Sequence, residues 1–297
     1  MTPPNPQPDS DPVISIRGLR KCFRRRGGEP VAVLDDVTFD IHRGETIVIM
    51  GGSGCGKSTL LNCLIGELAV DAGAIYYRTQ DMPAPRDLVG LDERSLNQLR
   101  KRFGILFQSG ALFNSMTLAD NVALPLREHS VVDEAIIDIV VTLKLQQVHM
   151  LPHRDKMPAE LSGGQKKRAG LARATVLDPE ILFYDEPSAG LDPVTSAAID
   201  ELIMDLSRKL NVTSVVVTHE MDSAFRIADR MVMLEKGRVL KIGPREDFLR
   251  LRDTPADRLA TREDRLINQF LNGFTAGPLT DAEGLSEYEK LLVAGEE

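Results

Sequence analysis

Thr46-Ile47-Val48-Ile49-Met50-Gly51-Gly52-Ser53-Gly54-Cys55-Gly56-Lys57-Ser58-Thr59 runs from five uncharged residues into a glycine-rich turn and ends on Lys-Ser-Thr. The first five have the length and composition of a strand buried on both faces. From Gly51 to Ser58 the spacing fits G-x-x-x-x-G-K-[ST], and the apolar segment Leu60–Leu68 is expected to form the helix that follows. Glycines at these positions let backbone N–H groups curl around phosphate oxygens where a β-carbon would clash. The helix N-terminus adds partial positive charge. Lys57 is expected to reach the β- and γ-phosphates of a nucleotide, and the Ser58 hydroxyl to ligate Mg²⁺. The stretch predicts a strand, a phosphate-binding loop and a helix.

Two further segments read in the same terms. Ile181-Leu182-Phe183-Tyr184-Asp185-Glu186 is an apolar run closing on two carboxylates. A buried strand of this kind delivers its acids to the sheet edge where α/β proteins bind ligands. Asp185 is expected to hold the metal and Glu186 to act as general base on the attacking water. Leu161-Ser162-Gly163-Gly164-Gln165 precedes a helical pattern over Gln165–Ala174. Ser162 has the chemistry of an N-cap, and the two glycines leave N–H groups open to an anion. Lys166, Lys167 and Arg168 read as a solvated basic face of that helix.

Short β-branched runs alternate with helical patterns from residue 13 to about 249, the signature of an α/β domain. Candidate strands are Val13–Arg17, Thr46–Met50, Phe103–Phe107, Ile181–Tyr184, Ser214–Thr218 and Arg230–Glu235. Residues 1–12 are Pro-rich and polar and are expected to be a disordered lead. Residues 250–297 form a charged, helix-prone extension whose apolar part, Leu266–Phe274, has no obvious place in the core. The chain has 297 residues and net charge -8, which argues against non-specific nucleic-acid binding. No apolar run approaches the ~18 residues a membrane span needs. Cys22, Cys55 and Cys63 show no framework spacing, which fits a reducing compartment; Cys55 and Cys63 are expected to pack as small apolar groups.

The phosphate loop, Leu161–Gln165 and Asp185-Glu186, in this order, resemble the ABC ATPase family over about residues 13–249. Gln108 sits where the family's Q-loop glutamine lies, Ser188-Ala189-Gly190-Leu191-Asp192 matches its D-loop, and His219 its switch histidine. Phe23 falls where an aromatic ring stacks on adenine. The resemblance implies a P-loop NTPase fold: a RecA-like core, an antiparallel β subdomain and an inserted helical subdomain at about residues 100–165. It implies catalytic roles for Glu186, His219, Gln108 and Lys57, and Mg²⁺ held by Ser58, Gln108 and Asp185. It further implies ATP bound by Phe23, Gly51 to Thr59 and Asp192, with Ser162, Gly163, Gly164 and Gln165 supplied by a second copy of the chain. Two copies then enclose two ATP and drive a separate permease.

Within the family, Leu106–Phe113, Asn121–His129 and the C-terminal Asn268–Gly273 with Gly277-Pro278 resemble the Mla-type ATPases of MCE-associated phospholipid transport. That resemblance implies an MlaE-like permease, an MCE-domain protein of MlaD type and, in some lineages, an MlaB-like STAS-domain regulator. It places the chain at the cytoplasmic face of a bacterial inner membrane, with residues 250–297 able to reach the second protomer. The alternative is the ATPase of another importer, for amino acids or other small solutes. Translation-factor and DNA-repair ATPases of the family carry two domains or a long coiled coil, and this acidic chain shows neither pattern.

Overall fold

The computed structural model describes residues 12–24, 30–80 and 84–280; most of the expected disordered lead and the acidic end of the tail lie outside them. Two sheets form the frame. The first is antiparallel and contains β1 (Pro12–Arg24), β2 (Pro30–His42), β4 (Ala72–Tyr77) and β5 (Arg86–Asp87), in the order β2-β1-β4-β5. β3 (Thr46–Met50) opens the second, which runs β10-β9-β3-β8-β7-β6. Its other strands are β6 (Phe103–Leu106), β7 (Ile181–Asp185), β8 (Thr213–Val217), β9 (Arg230–Glu235) and β10 (Arg238–Pro244). β6 to β9 and β3 are parallel, and β10 closes the edge antiparallel to β9.

The period-two pleat explains how one sheet serves two cores. Ile47, Ile49, Phe183, Val215 and Val217 point into a core shared with the antiparallel sheet and with α1 (Lys57–Leu64). Val48, Met50, Leu182, Tyr184 and Val216 point the other way, into a core walled by helices. Cys55 and Cys63 are buried in the first core, as expected of small apolar side chains. After α1 and β4, α2 (Glu93–Arg100) leads into β6. Because β6 pairs with β7 in the main sheet, the helical insertion begins after it rather than near residue 100. Its helices are α3 (Leu118–His129) and α4 (Glu134–Gln147). Thr117 caps α3 through Asp120 N–H, and Asn121 accepts from Phe113 N–H and donates to the Phe113, Met116 and Thr117 carbonyls.

The chain returns through α5 (Gly163–Thr175), α6 (Pro193–Leu210) and α7 (Met221–Ile227), then adds α8 (Arg245–Asp253) and α9 (Arg262–Asn272). Here the structure corrects one expectation. Leu266–Phe274 does have a place in the core: α9 packs on α8, and Ile267 and Leu271 join Phe248 in the helical core. Asn268 fixes the pair. It is 2% exposed, and its Nδ2 donates to the carbonyls of Leu251, Arg252 and Thr254 at distances of 2.7 to 3.2 Å. Those carbonyls at the end of α8 lack helical partners of their own. Asn268→Asp should place a carboxylate against three carbonyl oxygens and destabilise the α8–α9 docking by about 1–3 kcal/mol or more. Thermal unfolding and proteolysis of the C-terminal segment read this out; unchanged melting and cleavage would contradict it. Among the described residues, no helix is long and apolar enough to cross a membrane.

Candidate functional site

Because β3, β6, β7 and β8 run parallel, the segments leaving their carboxyl ends meet at one edge of the sheet. β3 delivers Gly51 to Gly56. Gly51 has φ +150°, and a β-carbon there would lie 2.2 Å from the Leu234 carbonyl oxygen. Gly56, at φ +107°, is the N-cap of α1, so Lys57 is the first helical residue. Helix formation thus starts three residues before the expected Leu60. The Lys57 Nζ donates to the Gly51 and Gly52 carbonyls at 2.7 and 2.9 Å, folding the side chain back along the loop. Ser58 is exposed, Thr59 half-buried.

β7 delivers Asp185 and Glu186. Asp185 Oδ1 is buried without a hydrogen-bond partner. Burial, reinforced by the Glu186 charge and opposed by Lys167 and Lys57, raises the Asp185 pKa above the usual carboxylate range. Glu186 has φ +48°, a left-handed backbone that a non-glycine residue adopts rarely. Its N–H donates to the Val217 carbonyl at 2.9 Å, and its Oε1 lies 2.8 Å from His219 Nδ1. His219 leaves β8 and stands exposed, so Glu186 is oriented by a residue open to solvent. Gln108 is also exposed, two residues past the end of β6.

The stretch Ser162–Gln165 opens α5. Ser162 Oγ accepts from Gln165 N–H at 3.3 Å, and Gln165 Oε1 accepts from Ser162 N–H at 2.9 Å, a reciprocal capping box. Ser162 and Gly163 are exposed, and a β-carbon on Gly164 would meet the Thr195 methyl at 2.5 Å. The Asp192 carboxylate caps α6: Oδ1 accepts from the N–H groups of Val194 and Thr195, and Oδ2 from the Thr195 hydroxyl. Phe23, on β1, is 42% exposed, with Lys21 Nζ 5.5 Å from its ring centroid.

One residue of the site was misread from sequence. Lys167 is not part of a solvated basic face: it is 4% exposed, and its Nζ donates to the Glu186 carbonyl at 2.9 Å. Burial lowers its pKa, against the opposing pull of Asp185, Glu186 and Glu220. The available signal was positional. Lys167 falls with Gly164 and Leu171 on the buried stripe of α5, where a lone cation must have anionic or carbonyl company. The contact between Glu186 and His219 carried no sequence signal, since 33 residues separate them.

Comparison with known proteins agrees with this geometry. The family model described as ABC transporter matches residues 34–189. The chain is 40% identical over 288 residues to the probable ribonucleotide transport ATP-binding protein mkl of Mycobacterium leprae, covering 95% of this chain and 77% of that protein. It is 36% identical over 283 residues to the intermembrane phospholipid transport system ATP-binding protein MlaF of Escherichia coli K12, covering 95% of this chain and 98% of that one. A dimeric ATP-binding cassette, solved in a post-hydrolysis state with ADP and Pi, superposes with a TM-score of 0.70 at 28% identity, covering 78% of this chain and 98% of that one.

Proposed function

From the premise that this chain belongs to the ABC transporter family and is its ATP-hydrolysing cassette, we propose that two copies close on two ATP molecules and drive a permease that moves phospholipid between bacterial membranes. The observation that carries the phospholipid reading is the end-to-end match to the MlaF relatives, whose length this chain covers at 98%. The match includes the region of α8 and α9, beyond the catalytic core. The mkl relatives are covered at 74 to 77%, and their name makes ribonucleotide transport the second reading.

In each site, the N–H groups of Gly52 to Ser58 and the N-terminus of α1 bind the phosphates. Lys57 leaves the Gly51 and Gly52 carbonyls to meet the β- and γ-phosphates, and Phe23 lies under the adenine. The Glu186 carboxylate, oriented by His219, takes the proton of the attacking water. Ser162, Gly163 and Gly164 of the second copy approach the γ-phosphate, and Asp192 shapes the turn beside them through its cap on α6. A divalent cation fits the donor set: a buried carboxylate oxygen of Asp185 without a partner, and the exposed Ser58 hydroxyl. Bound by Ser58, Asp185 and Gln108, Mg²⁺ would neutralise phosphate charge as it develops in phosphoryl transfer.

The proposed assembly has an MlaE-like permease, an MlaD-like MCE protein and, where its gene exists, an MlaB-like STAS regulator, with this chain at the cytoplasmic face of the inner membrane. Purifying the tagged chain from membranes should bring down an integral permease. Reconstituted in vesicles, that complex should move fluorescent phospholipid only with ATP and Mg²⁺. ATP-driven ribonucleotide uptake without lipid movement would instead establish the second reading.

A further inference from the structure

We propose that Lys167 is a positioning residue for hydrolysis, clamping the Glu186 backbone so that chemistry at one ATP site depends on the seating of the helix whose tip serves the other site. The proposal rests on Glu186 being the general base. Glu186 sits in a left-handed conformation at φ +48°, which persists only where neighbours over-determine it. Its N–H is tied to the Val217 carbonyl and its carboxylate to His219. Its carbonyl accepts from Ala189 N–H at 3.2 Å and from Lys167 Nζ at 2.9 Å. Of these ties, Lys167 alone comes from α5.

Lys167 stands five residues after Ser162, about 7.5 Å along the helix axis. The capping box makes that first turn rigid, so displacement of the Ser162 tip is transmitted to Nζ. In a dimer whose sites are completed in trans, the α5 tip of one copy touches the nucleotide held by the other. Lys167 therefore links the two sites through a single chain. The same ammonium is the buried cation facing Asp185, Glu186 and Glu220. Removing it releases the Glu186 carbonyl.

The test uses dimers of the assembled complex purified through two different tags, one copy carrying Lys57→Ala. One intact site then remains, and its Glu186 belongs to the copy that keeps Lys57. Adding Lys167→Met to that copy should lower kcat of the remaining site, on the order of 10²-fold for a displacement near 1 Å, with ATP affinity unchanged. Adding it to the other copy should leave kcat within twofold. Equal slowing from either copy, or slowing only from the other copy, would mean that the substitution merely disturbs the α5 tip, and the proposal would fall. No slowing from either copy would also overturn it. Should Lys167→Met not fold, Lys167→Ala, which also removes the donor and suits a helix interior, carries the same comparison. Glu186→Gln in the copy that keeps Lys57 is the control. If hydrolysis survives it, the assignment of the base fails, whatever Lys167 does.

Discussion

Glu186→Gln should bind ATP with the affinity of the unaltered chain and hydrolyse it ~10²–10⁴-fold more slowly, about 3–5 kcal/mol of lost transition-state stabilisation. The substitution is nearly isosteric, so the left-handed turn and the contact with His219 can both be kept. What is lost is the basic oxygen that accepts a proton from water. Because the γ-phosphate then stays intact, the dimer should remain closed and ATP-bound, and its accumulation is visible by size-exclusion chromatography. Single-turnover hydrolysis measures the chemical step directly. Full activity in this variant would remove Glu186 from its role.

The second large effect concerns the shared architecture of the sites. Lys57→Ala alone and Ser162→Arg alone should each be nearly inactive, since each leaves a symmetric dimer with no complete site. Mixed together, they should regain activity. In the mixed dimer both lesions fall in the same site, and the other site has an intact Lys57 and an intact Ser162. Random exchange puts half of the dimers in that state with one site each, so about a quarter of full activity is the ceiling for independent sites. A site built within one chain would show no recovery on mixing. Ser162 suits the experiment because it is exposed at the tip of α5, where arginine can be accommodated without disturbing either core.

What could be read from the sequence followed the degree to which both faces of an element were buried. Thr46–Met50 and Arg230–Glu235 match β3 and β9 at both ends, because their apolar runs are bounded by turn residues or charges. β1 extends to Arg24, well past Arg17, and β2 and β10 were not foreseen as strands. All three carry charges at both odd and even positions and break register, which hides their period. α1 stops at Leu64, short of Leu68, because the turn at Gly66 takes φ +72°.

The phosphate loop, the acids of β7 and the cap at Ser162 were legible because their chemistry is local: a residue type at a fixed offset from a strand or helix end. Lys167 and the C-terminal helix were misjudged for the opposite reason. The buried acceptor of Lys167 belongs to another element, and Asn268 holds α9 through carbonyls 14 to 17 residues away. Pairings of this kind are fixed by packing, and composition does not reveal them.

The most direct measurement is the mass and nucleotide content of the Glu186→Gln chain with ATP and Mg²⁺, by native mass spectrometry on the assembled complex. Two copies of the chain holding two ATP molecules, falling back to nucleotide-free copies when Lys57→Ala is added, is the predicted result. One ATP retained per separate, monomeric chain, with wild-type hydrolysis independent of pairing, would contradict it.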